Sequence, residues 1–551
     1  MALPTATVTL RVGESATLQP TVAPENATDQ TLDFSSADAR VAYVVGPKVV
    51  GYTPGRTTVT AKATDGSGAT ARIKIKILPL GNGYTPKRPR IIVMQDGEVD
   101  DMASFTRLLY YSNELDIASI VYTSSRFHYK GDLETGGTVP PHRWTGTEWL
   151  NRQIDLYGKL YPKLRNHAAG YPNPDRLRKV YKIGNIDNVG EMTKVTEGSE
   201  AIRKILLDNN PEPVHAQAWG GTNTLARALK SIQEQYSGTK HWAAVQAKIN
   251  KKLVIYNILT QDSTLTAYIK PTWPGVRVID NLDQFWGFAY SWPNSVPPDQ
   301  KSYLQGPYMR ENFLIGRGDL LGTEYRTYKD NKPIPGDPDY NNWDPTQYPQ
   351  YGLNDFISEG DSPSFMWLFD FNGLRASDDP TYGGWGGRFA KNATGPGWTD
   401  TGDPSYPGAT SPRAARRLAL TRWVADIQND FATRAKWGVT SDYDDANHNP
   451  RAHVREGLTL TMKPGQSAKL HASATDPDRD ALTYNWWEYA DADTYAGTAI
   501  PITNADTLTP TFAVPADAKP GDTIHLILQV SDNGTPKLTH YQRVVVTVAA
   551  H

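Results

Sequence analysis

The chain has 551 residues, 57 basic side chains against 59 acidic ones, and no cysteine. That length is far beyond the size at which one core stops growing, so about three domains are expected. The balanced charge speaks against nucleic acid or a membrane surface as a partner held by charge, and the lack of thiols excludes disulfides, thiolate nucleophiles and Cys-type zinc sites.

From Thr5 to about Leu78 the chain reads as short strands. Thr58 to Ala63 and Arg72 to Ile77 alternate small or apolar with polar side chains, the period of a half-buried strand. Val12-Gly13-Glu14-Ser15, Pro24 to Ala27 and Asp65 to Gly68 supply the turns. Through Val12-Gly13-Glu14-Ser15, Phe34-Ser35-Ser36 and Gly55-Arg56-Thr57-Thr58-Val59 the segment resembles the bacterial Ig-like domains carried by secreted and surface enzymes. A β-sandwich over residues 1–80 is therefore expected, followed by a linker at Gly81 to Pro86.

The grammar then changes. Arg90 to Met94 is a continuous apolar run, Asp101 to Glu114 carries Met102, Phe105, Leu108 and Leu109 at helical spacing, and Ile117 to Val121 is a second apolar run. This is a βαβ unit, the building block of a parallel sheet with helices on both faces. The pattern recurs as a helix at Gly198 to Leu207, a strand at Val214 to Ala218, a helix at Thr224 to Ile232 and a strand at Leu253 to Leu259. Gly287 to Asn354, rich in Pro, Tyr, Asn and Gly, is expected to form long loops over the sheet's edge. Ala414 to Ala435 reads as one long helix closing an α/β domain over residues 88–441. Alternation returns in Leu458 to Leu460 and Arg543 to Val548, which predicts a second sandwich over 446–551. There Asp476, Asp478 and Asp480 form either a second Ca²⁺ site or a solvated turn.

Asp96-Gly97-Glu98-Val99-Asp100-Asp101 falls where the first central strand hands over to its helix. Ligands of open α/β sheets bind outside the carboxyl ends of the strands, and carboxylates crowded into one turn become tolerable when a hard cation such as Ca²⁺ neutralises them. The same acids would also suit a helix N-terminus.

The run Ile91 to Asp101 resembles the Asp-rich fingerprint of inosine-uridine nucleoside hydrolases, and Ala216 to Ala226 is similar to their strand-Gly-x-Thr-Asn-helix segment. From Pro86 onward the chain more closely resembles bacterial proteins described as nucleoside-hydrolase-like and cellulose-binding. It shares with them Asp-Gly-Glu-x-Asp-Asp, Trp-Gly-Gly-Thr-Asn and, as Gly383 to Arg388, Gly-Gly-Trp-Gly-Gly-Arg. The resemblance implies Asp96 as the base acting on water and a Ca²⁺ held by Asp96, Asp101, the Ala218 carbonyl and Asp361. Asp100 would be the neighbouring carboxylate that supports the site or holds sugar hydroxyls, and Glu98 and Asn223 are further candidates for substrate contact. Three departures bear on the substrate: the family's earlier Asp is Met94 here, its Gly is Glu98, and the His before its late Asp is Gly360, which removes the usual leaving-group acid.

A replacement acid is sought at strand ends. His128 follows the second strand in a segment where such enzymes contact sugar, with Arg126 beside it, and its ordinary pKa suits acid work near neutrality; a structural hydrogen bond is the alternative. Gln261, Asp262 and Glu359 are candidates for sugar hydroxyls or acid duty, and Trp219 and Trp385 for stacking or for the core. The expectation is a secreted or periplasmic Ca²⁺-dependent glycosidase acting on a furanosidic or oligosaccharide substrate, with any export signal outside this sequence. The rivals are a non-catalytic carbohydrate-binding protein and a true nucleoside hydrolase.

Overall fold

The computed structural model describes residues 7–78, 87–337 and 350–550; the linker expected at Gly81 to Pro86 lies outside them. In the N-terminal part, β1 (Thr7–Arg11), β2 (Ser15–Thr17), β3 (Leu32–Ser36), β4 (Ala42–Val45), β5 (Lys48–Gly51), β6 (Gly55–Ala63) and β7 (Thr70–Leu78) form two sheets, ordered β1-β7-β6-β3 and β2-β5-β4. Alternation decides which side chains meet: Ile73, Ile75 and Ile77 point into the core while Arg72, Lys74 and Lys76 point out.

The central part holds an eight-stranded sheet. Its strands are β8 (Arg90–Gln95), β9 (Asp116–Tyr122), β10 (Tyr181–Ile183), β11 (Val214–Ala218), β12 (Leu253–Ile258), β13 (Arg277–Asn281), β14 (Phe389–Lys391) and β15 (Gly397–Asp400). Their order is β10-β9-β8-β11-β12-β13-β15-β14, parallel throughout except for β14 against β15. β8 reads as unbroken apolar sequence because both its faces are covered. Ile91 and Val93 face one core, with α1 (Val99–Tyr110) and α2 (Glu148–His167), whereas Ile92 and Met94 face the other, with α4 (Glu197–Leu207), α5 (Asn223–Tyr236) and α6 (Trp242–Lys252). A short α3 (Pro174–Val180), N-capped by Asn173, precedes β10.

The expected helix from Ala414 to Ala435 is in fact two, Pro412–Thr421 and Val424–Trp437, broken at Arg422 and Trp423. The break turns the Arg422 guanidinium to Asp403, with which it pairs at 2.8 Å. The region Gly287 to Asn354, as far as it is described, consists of short 3₁₀ and π turns rather than structureless loop.

In the C-terminal sandwich, Thr459–Met462, Thr539–Val548, Thr523–Ser531 and Thr483–Glu488 form one sheet in that order. It is not an appendage. Ile527, Tyr541 and Tyr489 belong to the same buried cluster as the central Trp423 and Phe371, and Arg543 donates to the carbonyls of Leu374 and Gly383. No helix among the described residues is long and apolar enough to cross a membrane.

Candidate functional site

β8 ends at Gln95, and the next residues turn sharply into α1. Gly97 has φ +86°, and a Cβ there would lie 2.0 Å from the Tyr122 hydroxyl and 2.6 Å from Thr145 Oγ1, so no other residue fits. Thr145 donates to the Gly97 carbonyl at 2.9 Å, and the backbone N–H of Asp96 donates to Asp101 Oδ1 at 3.0 Å. The turn thereby places Asp96, Glu98, Asp100 and Asp101 together at the carboxyl edge of the sheet. Asp361, from a turn between distant segments, joins them: ligand oxygens of Asp100, Asp101 and Asp361 all lie within 4.8 Å of one another, as do those of Asp96 and Glu98 and a ring nitrogen of His128.

Asp96 is 1% exposed, and Asp101 and Asp361 are 2% exposed. Asp96 Oδ2, Asp100 Oδ1 and Asp361 Oδ2 have no hydrogen-bond partner among the described residues. A buried carboxylate oxygen without a donor is costly, and oxygens of Asp100, Asp101 and Asp361 gathered within 4.8 Å of one another make a donor set for a hard cation. The residues therefore fit a Ca²⁺. Asp100, expected to support the site or hold sugar hydroxyls, sits with Asp101 and Asp361. Ala218 is the last residue of β11, paired with Met94 in β8, which brings its carbonyl to the same edge; Gly220 follows, packed so closely that a Cβ would lie 2.8 Å from that of Asp96.

Burial pushes the pKa of Asp100, Asp101 and Asp361 well above the ordinary 3.8, and the neighbouring carboxylates push the same way. Glu98 is also raised, by burial first and against the pull of His128. Folded protein without a cation thus holds protons that the unfolded chain has already released, so this group loses stability as pH rises from the ordinary carboxylate range through the raised values. A bound calcium ion would displace those protons. Melting in EDTA and in saturating Ca²⁺ should therefore diverge with pH, the Ca²⁺-induced rise in Tm being larger at about pH 8 than at about pH 5 and worth about 2.7 kcal/mol at a hundredfold excess over Kd. Coincident melting curves at both values would show that no cation binds here.

His128 is fully buried, with Nδ1 3.8 Å from Glu98 Oε2 and Nε2 3.7 Å from Asp337 Oδ2. Burial opposes its protonation, but Asp337, Asp96 and Glu98 outweigh it and hold the pKa above 6.5. Asp337 is itself held by Arg143 at 3.2 Å. On the other side of Glu98, Tyr290 donates to Oε1 at 3.0 Å. Asp337, Arg143 and Tyr290 carry no sequence signal that marks them as part of the site.

Several expected site residues serve the fold instead. Glu359 is fully buried and gripped by Arg107, whose Nη2 donates to Oε1 at 2.9 Å and whose Nε donates to Oε2; Tyr325 and Ser362 donate as well. Every acceptor position is taken, so Glu359 is no leaving-group acid. Arg107→Met would strand that carboxylate and should cost about 3–5 kcal/mol, with Arg107→Met/Glu359→Gln recovering much of it; chemical denaturation measures both, and additive losses would deny the pairing.

Asp262 takes hydrogen bonds from the Asn223 N–H at 3.0 Å, the Thr264 N–H at 2.8 Å and the hydroxyls of Thr222 and Thr264, capping α5 and its own turn. Asn223 is likewise spent, on Thr123, Ser124 and the carbonyls of Asn185 and Glu191. Asn223 has no group left for substrate, and Asp262 Oδ1 is committed to Thr222 and Thr264. Trp219 and Trp385 are each 1% exposed. The Trp219 indole donates to Ser364 at 2.7 Å, and Trp385 packs edge-on against Phe371 at 5.7 Å, so both rings belong to the core.

Gln261 does stay at the site. It follows Leu259 and Thr260, both at positive φ, donates to the Trp219 carbonyl, and leaves Oε1 without a partner. Arg126 is exposed at the rim, over the Phe127 ring at 4.9 Å. A cavity of about 650 Å³ lies at the opposite, amino edge, where it is lined by Arg90, Val254 and Arg277. The acidic group is not there.

Residues 90–389 match the family described as cellulose-binding Sde182, nucleoside hydrolase-like domain; residues 467–548 match the cellulose-binding protein Sde0182, C-terminal domain; and residues 1–73 match the bacterial Ig-like domain, group 2. Among solved structures, a nucleoside hydrolase-related protein from Saccharophagus degradans, associated with carbohydrate metabolism, is 27% identical, with 84% of this chain and 100% of that one covered and a TM-score of 0.63. A plant nucleoside hydrolase is 11% identical over 61% of this chain and 99% of its own, with a TM-score of 0.29. The type III effector XopQ, complexed with adenosine diphosphate ribose, is 13% identical over 64% and 96%, with a TM-score of 0.30. Among curated proteins none matches.

Proposed function

The chain belongs to the family of cellulose-binding Sde182 proteins with a nucleoside hydrolase-like domain, and on that premise we propose that its central domain is a Ca²⁺-dependent glycoside hydrolase acting on a furanosidic or oligosaccharide substrate released from polysaccharide. The observation that supports this reading is the gathering of oxygens of Asp100, Asp101 and Asp361 within 4.8 Å of one another, with a buried, unpartnered oxygen on Asp100 and on Asp361 and another, Asp96 Oδ2, at the same carboxyl edge of the sheet. Held by Asp101, Asp361, Asp100, Asp96 and the Ala218 carbonyl, a calcium ion would supply positive charge that polarises a water and anchors sugar hydroxyls.

The chain's own residues would then divide the proton work. Asp96 Oδ2, without a donor, takes a proton from the water whose oxygen attacks the anomeric carbon. As the glycosidic bond breaks, the leaving oxygen takes a proton from His128, which is held protonated by Asp337 and Glu98. Gln261 Oε1 is free to accept from a sugar hydroxyl. The position that carries a histidine in nucleoside hydrolases is Gly360 here, where a Cβ would lie 2.9 Å from Asp100 Oδ2 and would displace that carboxylate. That favours an O-glycoside over a purine or pyrimidine nucleoside. Release of reducing sugar from a panel of glycosides, with and without EDTA, tests the reading; base released from inosine or uridine instead would favour a nucleoside hydrolase, and glycan binding without turnover a non-catalytic carbohydrate binder.

A further inference from the structure

Between the central part and the C-terminal sheet lies a second cleft, of about 290 Å³, that has no residue in common with the acidic group. One wall is the break between the helices Pro412–Thr421 and Val424–Trp437, with Arg422, Trp423 and Asp426. The other is the outer face of the C-terminal sheet. There Asn485, Gln529 and Tyr541 sit opposite one another on three adjacent strands, and Trp487, two residues from Asn485, shares their face. Tyr406 borders the same space.

Two properties of this cleft are those of a sugar site. Its rings are only half-buried at Trp487 and Tyr406, unlike Trp219 and Trp385, with the Arg422 guanidinium lying over Tyr406 at 4.3 Å and over Trp487 at 5.2 Å. Between the rings stand polar groups with nothing to bind, since the side-chain amides of Asn485 and Gln529 and the indole N–H of Trp487 make no hydrogen bond among the described residues. Aromatic faces with uncommitted amides match a pyranose, whose axial C–H bonds stack while its hydroxyls donate and accept.

The charges narrow the ligand further. Arg422, the cation of the cleft, is already paired with the buried Asp403 at 2.8 Å, and Asp426 adds an acid that accepts from the Tyr541 hydroxyl. An anionic polysaccharide would find no free cation there, so the ligand is neutral. The rings also stand tilted to one another, Trp423 and Trp487 by 39° at 6.1 Å, and no Trp, Tyr or Phe among the described residues is fully exposed. A flat crystalline cellulose face needs a coplanar, exposed platform. A cleft of this size and shape accepts one chain.

We propose that this interdomain cleft is a binding subsite for a single, soluble, neutral glucan chain, separate from the hydrolytic site, with Trp487 stacking on a pyranose and Asn485 and Gln529 bonded to its hydroxyls. The proposal rests on the reading that the protein's partner is a carbohydrate, but not on the hydrolysis proposed for Asp96. Titration calorimetry of the full chain with cellohexaose tests it. Wild type and Asp96→Asn should bind alike, Trp487→Ala should weaken binding by about tenfold or more, equivalent to about 1.4 kcal/mol, and Asn485→Ala, a substitution at an exposed strand position, should weaken it severalfold with unchanged melting. Binding that Asp96→Asn removes and both cleft variants retain would overturn the cleft while leaving the hydrolytic site standing. Retention on crystalline cellulose with no affinity for cellohexaose would overturn it as well. Hydrolysis of small aryl glycosides, which do not require the cleft, reports on the Asp96 reading separately.

Discussion

Asp96→Asn should reduce hydrolysis of every glycoside the protein turns over by at least about three orders of magnitude, while leaving the fold unchanged. The substitution keeps the volume and one carbonyl-like oxygen, so the bond at 3.4 Å from the Glu98 N–H to Oδ1 survives, and the Asp96 N–H that reaches Asp101 belongs to the backbone. What disappears is the acceptor for the water's proton. In the proposed site Asp100 and Asp361 are committed to the calcium ion. An Asp96→Asn rate within twofold of wild type would remove Asp96 from the chemistry and with it the proposed hydrolysis.

How much of this was legible in the sequence follows from how far apart the deciding partners are. The turn Asp96 to Asp101 is local. A strand read from Arg90 to Met94 and a helix read from Asp101 fix its place at a carboxyl edge, and the alternation of strands such as Arg72 to Ile77 gives the sandwich, because both signals repeat within a few residues. The fate of Glu359 is not local. It depends on Arg107, 252 positions away, and nothing near Glu359 says whether a carboxylate in a Ser- and Gly-rich turn faces a cleft or a guanidinium. The same holds for Asp337, whose contact with His128 depends on how two remote loops close.

The aromatic residues make the point in the other direction. Sequence left Trp219 and Trp385 open between stacking and the core, and the glycines around them serve close packing: a Cβ on Gly386 would lie 2.3 Å from that of Trp367. Trp487 had no motif. It became visible only when the Ala414 to Ala435 pattern broke at Arg422 and Trp423 and the C-terminal sheet settled against the break. Periodicity alone reads through such a break, since Pro412–Thr421 and Val424–Trp437 are each helical and only two residues separate them.

His128→Ala should slow hydrolysis of unactivated glycosides by about two to four orders of magnitude yet leave aryl glycosides with good leaving groups within about tenfold of wild type, because only the former need a proton on the departing oxygen. The pH profile gives the same residue a second signature. A general acid works only while protonated, so the rate must fall as pH rises through the His128 pKa, and Asp337, Asp96 and Glu98 place that limb above the ordinary 6.5. Asp337→Asn removes the charge 3.7 Å from Nε2 and should therefore move the alkaline limb to lower pH without a matching loss at acidic pH. A purely structural histidine would behave otherwise: its loss would depress both substrate classes equally, and Asp337→Asn would scale the whole profile without moving its limb. Since Glu359 has its oxygens committed to Arg107 and Asp262 caps α5, that outcome would move the proton to Glu98, whose carboxyl is held above its ordinary range by burial, or require a bond whose leaving group departs as an anion.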